Sequence, residues 1–392
     1  MDQAVAAGIG GAVRFPRARI GVSLLFFMNG FTVGSWAPKI PEFAARLGLS
    51  ESQLGMMIVA FGVGSLMAMP AVGAMVAREG SRRVLRASAL AAAFTILAVT
   101  LVPDIATAVM AVVFLGAAVG GMDVAMNASA VAAERAQRRA IMSSCHGFWS
   151  LGGLVGAGAG GWLIERLGVP DHALIVTGVA LVLVVAAWPL VLDDGPDKSG
   201  ARGRVALPLT PLPWLIGIMA LMAMIPEGAV LDWGALYLRA ERDGTITQSG
   251  FVFGAFSAAM ALLRFMGDGV RERFGPVATM RACALTAMAG LAVAGLGGNA
   301  ALVIAGFAIA GIGLSNLVPI AFSAAGNLPG LAPGIGLSLV TFMGYSGALF
   351  APTFLGFVGE VTGFGAIFTG LAVLLAVVLA LSGLARHAAR DG

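Results

Sequence analysis

The sequence predicts an all-α membrane protein of twelve transmembrane helices, arranged as two pseudo-symmetric six-helix bundles. Three observations predict it: the scarcity of charge, the spacing of the apolar runs, and an internal repeat. Of 392 residues, 59% are hydrophobic and only 11% charged, where a soluble domain carries about a quarter charged residues. So few charges cannot cover so apolar a chain in water, and lipid must be the solvent for much of its surface. Runs of spanning length lie at 18–38, 52–77, 84–103, 107–132, 141–164, 172–192, 213–238, 249–270, 278–297, 300–324, 333–358 and 362–385. They are continuous instead of alternating, so helices are expected, each satisfying its own backbone in lipid.

The third observation divides the chain. The segment 193–212 is charged and rich in Gly and Pro, too polar to span, and is expected to link a bundle over 1–192 to one over 213–392. A shift of 195 residues superposes Gly55 on Gly250, Phe61 on Phe256, Arg78 on Arg273, Gly80 on Gly275, Gly161 on Gly356, Glu165 on Glu360 and Gly168 on Gly363. A shift of 193 pairs Phe114, Gly120 and Asp123 with Phe307, Gly313 and Asn316. Small residues coincide by chance among 56 glycines; the Arg, Glu and polar matches at nearly one offset mark a true repeat.

Topology follows from the basic residues. Placing the N-terminus inside puts 18 Lys and Arg on the inner side and five on the outer (Lys39, Arg46, Arg166, Arg239, Arg242), with Arg264 inside a span. That bias predicts both termini in the cytoplasm. The net charge of +4 is therefore a topological signal, and no nucleic-acid partner is expected. Cys145 and Cys283 fall in or beside apolar runs and His146, His172 and His387 are scattered, so neither a disulfide framework nor a metal centre is expected. No removable leader is expected at the N-terminus. No Walker motif or catalytic constellation appears, which points away from an enzyme, a cofactor and ATP-driven transport. The glycine-rich stretch 152–161 lies within a span and is expected to serve close helix packing.

The loop Gly73-Ala-Met-Val-Ala-Arg78-Glu-Gly80-Ser-Arg82-Arg83 resembles the G-x-x-x-D-R-x-G-R-K/R loop of the major facilitator superfamily. It departs at Ala77 and Ser81, where the family usually has Asp and Arg; its second copy runs from Asp268 through Arg273 and Gly275. The runs WAPKIPEFAARLGLSESQLG, MDVAMNASA, CHGFWSLGG and EGAVLDWGALYL are similar to a bacterial inner-membrane group that includes a rhizopine-linked transport protein. The resemblance implies a carrier with a small-molecule substrate in the inner membrane, its central cavity lined by the first, fourth, seventh and tenth helices.

A charge at mid-bilayer costs ~3 kcal/mol or more, so each polar residue in a span should face the bundle interior. Asn29, Asp123, Glu227 and Asn316 fall one each on the four cavity helices, at similar depth. With Asn127, His146 and Trp149 they form the expected substrate site. Glu227, just after Pro226 with no evident basic partner, is the first candidate for a coupling proton, since burial favours the neutral acid. Asp123 is the second, with a structural pairing to Arg264 or His146 as the competing role. Asp123 and Asn127, one turn apart, would also suit sodium. His146 is weighed as a proton shuttle against an ordinary hydrogen-bonded histidine. Arg264 and Asp268, four apart on one helix, read as a structural pair, with an anionic substrate on Arg264 as the alternative. Asp232 is expected to act as a gating charge against Arg239 or Lys39, and Arg78 as a structural charge. Trp36 and Trp233 read as interfacial anchors.

The expected function is alternating-access symport of a sugar, cyclitol or similar solute with protons, by a monomer. The competing expectation is a proton-driven exporter of amphipathic compounds. A sensor or scaffold on the same fold is a third, weaker expectation, the short tails offering no signalling appendage.

Overall fold

The computed structural model describes residues 17–49, 51–195, 208–244 and 246–388; residues 196–207 of the expected linker lie outside them. The described residues form twelve helical rods. These are α1 (Arg17–Trp36), α2 (Glu51–Glu79), α3 (Ser81–Ala93, resuming as Thr95–Leu101), α4 (Ile105–Gln137), α5 (Met142–Leu167) and α6 (Val169–Ala187). After the linker come α7 (Pro211–Glu241), α8 (Ile246–Phe274), α9 (Pro276–Leu296), α10 (Ala300–Leu314, resuming as Leu317–Gly326), α11 (Pro333–Thr362) and α12 (Phe364–Leu374, resuming as Ala376–Leu381). By length and composition alone, eight stretches qualify as membrane spans among the described residues.

The repeat is written into the backbone. Gly80 and Gly275 turn the chain into α3 and α9 at φ 85° and 80°, and Gly168 and Gly363 turn it into α6 and α12 at 88° and 79°. Each pair is separated by the sequence shift, and each needs glycine because a Cβ disfavours the left-handed region. The same shift relates two caps that carry different residues. The Asp104 carboxylate accepts from Thr107 N at 2.9 Å to start α4, and the Asn299 amide oxygen accepts from Leu302 N at 3.0 Å to start α10. Either side chain satisfies an orphan amide of the first helical turn. It also relates two tight contacts: a Cβ on Gly116 would meet the Phe61 carbonyl, and one on Gly311 the Phe256 carbonyl.

Small residues set the helix spacing elsewhere. Gly30 and Gly34 of α1 lie against the backbone of Trp149 and Gly153, and Gly152 and Gly156 of α5 lie against Phe27 and Phe31. The glycine-rich stretch thus packs α5 on α1, as close approach in lipid requires.

A short helix (Ile40–Leu47) follows α1. Beside it Lys39 is only 1% exposed, its Nζ donating to Thr100 Oγ1 at 2.7 Å and to the Val169 carbonyl at 3.1 Å. Lys39 is therefore committed within the first repeat and is not the partner expected for Asp232, which is exposed. Burial, with Arg46 nearby, pushes the Lys39 ammonium down from 10.5 to about 8. The unfolded chain then holds this proton more tightly than the native one. The cost is complete below pH 8 and is relieved as the pH rises toward 10.5, by up to ~3 kcal/mol. Between pH 7.5 and 9.5 the wild-type melting temperature is expected to gain several degrees on that of Lys39→Met; parallel pH profiles would show that the buried ammonium carries no such cost.

Candidate functional site

At mid-depth the polar side chains form a band that crosses between the repeats. Arg264 of α8, 4% exposed, is its centre. Its Nη2 donates to Glu227 Oε1 of α7 at 3.1 Å and Oε2 at 3.4 Å, its Nε to the Ser315 carbonyl at 3.3 Å, and its Nη1 to Ser150 Oγ of α5 at 2.7 Å. The Ser315 carbonyl is reachable because α10 breaks between Leu314 and Leu317. At this break Asn316 Nδ2 donates to Ser315 Oγ at 2.9 Å and to the Leu263 carbonyl at 3.4 Å. Glu227, with its side chain 22% exposed against 5% for Arg264, is the accessible end of the pair. Tyr345 of α11 is half-buried and within electrostatic reach of Asp123, Glu227 and Arg264.

The first repeat supplies a drier layer. Asn29 Nδ2 donates to the Val119 carbonyl at 3.1 Å and Asn29 Oδ1 accepts from Trp149 Nε1 at 2.9 Å. Asn127 Nδ2 donates to the Asp123 carbonyl at 2.9 Å, and Asn127 Oδ1 lies 3.2 Å from His146 Nε2. The His146 ring sits edge-on between Phe26 and Phe322, with centroids at 5.2 and 5.8 Å. Asp123 is buried, and its Oδ2 has no hydrogen-bond partner among the described residues.

Several pairings differ from those expected. Glu227 does have a basic partner, and it is Arg264. Arg264 pairs with neither Asp123 nor Asp268, since its guanidinium turns to α7 and α5 while the Asp268 carboxylate turns to the start of α5. His146 contacts Asn127 and not Asp123. Asn29 and Asn316, 1% and 3% exposed, are shut away: Asn29 spends its amide on α4 and α5, and Asn316 its Nδ2 on Ser315 and α8, so the four cavity helices do not present four open polar groups. Arg78 is exposed at the end of α2; the side chain of Arg239 lies outside what the structure describes.

A second constellation, missed in the sequence, lies at the end where the basic loops gather. Five consecutive amides at the start of α5 donate to three carboxylates: Ala140 N to Glu272 at 2.8 Å, Ile141 N and Met142 N to Glu134 at 2.9 and 3.1 Å, and Ser143 N and Ser144 N to Asp268, both at 2.9 Å. Glu134 also pairs with Arg271 and accepts from Ser323 Oγ at 2.7 Å. Arg135 donates to Asn327 Oδ1 and to the Gly326 carbonyl at 2.7 and 2.6 Å. Residues of α4 and α5 are thereby joined to α8 and α10, and this end is closed. The equivalent place in the first repeat holds no acid. Gly73 stands at the position of Asp268 and packs directly on Ser338 and Gly334 of α11, and Ala77 stands at that of Glu272. One flank of the seal is ionic, and the other is held by close contact.

Two repeats of six helices that meet over a mid-depth polar band, closed at one end, define a polytopic secondary carrier. A model of the Major Facilitator Superfamily matches residues 22–329, and the chain belongs to that family. An uncharacterized MFS-type transporter of Yersinia pestis is 33% identical over 364 residues, spanning 92% of this chain and 94% of its own. Membrane protein MosC of Rhizobium meliloti is 32% identical over 347 residues, 88% and 84% of the two chains. Among solved structures, the Escherichia coli fucose:proton symporter FucP superposes with a TM-score of 0.77 at 16% identity, over 94% of this chain and 98% of its own. The human organic anion transporter MFSD10 gives 0.70 at 18% identity, over 93% and 99%. These likenesses establish the fold.

Proposed function

We propose that this protein is a proton-linked carrier that moves a small polar organic solute, a sugar, a cyclitol or a related compound, across the bacterial inner membrane, with the basic end cytoplasmic. The observation that carries the reading is the Arg264–Glu227 pair, bonded across the repeats to Ser150 and left open on the Glu227 side. A proton arriving at Glu227 neutralises it and releases one arm of the guanidinium, which a solute hydroxyl can then accept. Loading of the proton and of the solute are linked because both act on the same arm. Asp123, buried on α4, supplies a second acid. Trp149 and Tyr345 offer ring faces and a hydroxyl to a flat polar solute, while Asn29, Asn127, His146 and Asn316 hold the helices that present them. With the basic end closed, the site is poised toward the opposite side, and rocking of the repeats exchanges access. Similarity to a fucose:proton symporter supports both parts of the reading.

The first test is thermal stabilisation of the purified protein against sugars, polyols, amino acids and amphipathic drugs at two pH values, since a bound ligand raises the melting temperature by mass action. A pH-dependent rise with a polyhydroxy compound is expected. With that solute in proteoliposomes, Glu227→Gln should lose pH-driven accumulation while retaining exchange. Stabilisation by amphipathic cations alone, or undiminished accumulation in Glu227→Gln, would overturn the proposal.

A further inference from the structure

Outside the polar band, the structure holds a second place built for a ligand. At the closed end, where the start of α5 meets the last turns of α8, lies a crevice of ≈480 Å³ with an apolar floor and a basic rim. The floor is Phe265, Met266 and Phe274, which are 41%, 54% and 62% exposed. The rim is Arg19, Arg139 and Arg273. Two carboxylates also line it: both Asp268 oxygens accept from the amides of residues 143 and 144, and Glu272 Oε1 accepts from the amide of residue 140. Arg139 reaches Glu272 only at 3.7 Å, with its own side chain 54% exposed. Arg19 donates to Ser144 Oγ at 3.1 Å, and Arg273 lies over the Phe274 ring at 5.4 Å. The crevice therefore joins three guanidinium groups to exposed aromatic and thioether side chains at the boundary between a span and its basic loops.

We infer that this crevice seats an anionic phospholipid, its phosphate on Arg139 and Arg273 with Arg19 behind, and its acyl chain along Phe265 and Met266. A soluble phosphate would use the rim and leave the floor bare; a neutral lipid would use the floor and gain nothing from the exposed guanidinium groups of Arg139 and Arg273. Charge complementarity and the apolar floor together select the anionic lipid. The walls come from both repeats, α1 and the connection from α4 to α5 on one side and α8 on the other. A lipid seated here touches both, and it adds to the closure made by Glu134, Arg271 and Asp268.

The test uses full-length protein reconstituted in phosphatidylcholine nanodiscs. Adding phosphatidylglycerol is expected to raise the melting temperature by several degrees, and native mass spectra of the released protein should retain one phosphatidylglycerol molecule. Both rim residues chosen for change are exposed, so Arg139→Gln/Arg273→Gln should fold. It is expected to lose more than half of the rise and the retained lipid, while Arg78→Gln/Arg83→Gln, altered at the other flank of the same end, should keep both. Equal loss in the two double variants would reduce the effect to general surface charge and overturn the site. A full rise with inorganic phosphate in phosphatidylcholine alone would assign it to a soluble anion.

Discussion

Arg264→Gln should abolish solute transport and cost ~2–4 kcal/mol of stability, toward the low end of the range for breaking a buried ion pair because Glu227 is partly exposed. The arginine serves three acceptors at once: the Glu227 carboxylate, the Ser150 hydroxyl and the Ser315 carbonyl freed by the break in α10. Glutamine can reach at most one of them and leaves the acid without a cation. Lysine keeps the charge but not the planar fork, so Arg264→Lys should recover part of the stability and little of the transport. The decisive comparison is the pair. If the loss comes from an abandoned carboxylate, Glu227→Gln/Arg264→Gln will melt above Arg264→Gln, and transport will remain absent in both. A double variant no more stable than the single would show that the bonds to Ser150 and Ser315, and not the ion pair, are what the arginine contributes.

Arg271→Ala should unfasten the closed end. Arg271 and Glu134 have side chains 5% and 4% exposed, and Glu134 at the same time holds two amides of α5 and Ser323 of α10. Without the guanidinium, Glu134 is an uncompensated buried charge in the closed form, whereas in an open form water would solvate it. Breaking such a pair costs ~3–5 kcal/mol; if even ~2 kcal/mol of that falls on the closed form alone, its population ratio changes about thirtyfold. Cys145 is a native reporter, fully buried one turn into α5. In a Cys283→Ser background, Arg271→Ala is expected to accelerate maleimide labelling of Cys145 at least tenfold. Unchanged labelling would mean that the close contact of Gly73 with Ser338 suffices to keep the end shut.

The architecture was legible because lipid leaves a chain few options. Apolar runs located the rods to within a few residues, and the largest shortfall is informative. The run in α4 ends near 132, but the helix continues to Gln137, since Glu134 and Arg135 belong to the seal and not to the lipid-facing span. The repeat was legible at Gly80, Gly168, Gly275 and Gly363, because turns that favour glycine keep the same residue in both halves; the matching caps at Asp104 and Asn299 were not legible, because the residues differ. In the polar band, identities stood out against an apolar background while partners did not. Arg264 and Asp268 share a helix face at the right spacing, yet the unsatisfied amides of α5 attract Asp268, and Glu227 attracts Arg264. Both choices depend on helix rotation and tilt, which periodicity does not encode. Glu134 and Arg271 looked like loop charges, and Tyr345 like any aromatic in a span.

The start of α5 has a consequence for how the protein is made. Its N-cap residue, Ile141, offers no side-chain cap; Glu134 serves two of the five amides, and the other three wait for Asp268 and Glu272. Asp268 follows Ser143 in the chain by 125 residues, so at a synthesis rate of ~5–20 residues per second it emerges about ten seconds later. During that interval the first six helices can enter the membrane and pack, but three amides at the start of α5 stay bare at the membrane boundary, open to water. The first repeat becomes a finished structure only when α8 arrives, and the group that completes it is the one that closes the carrier.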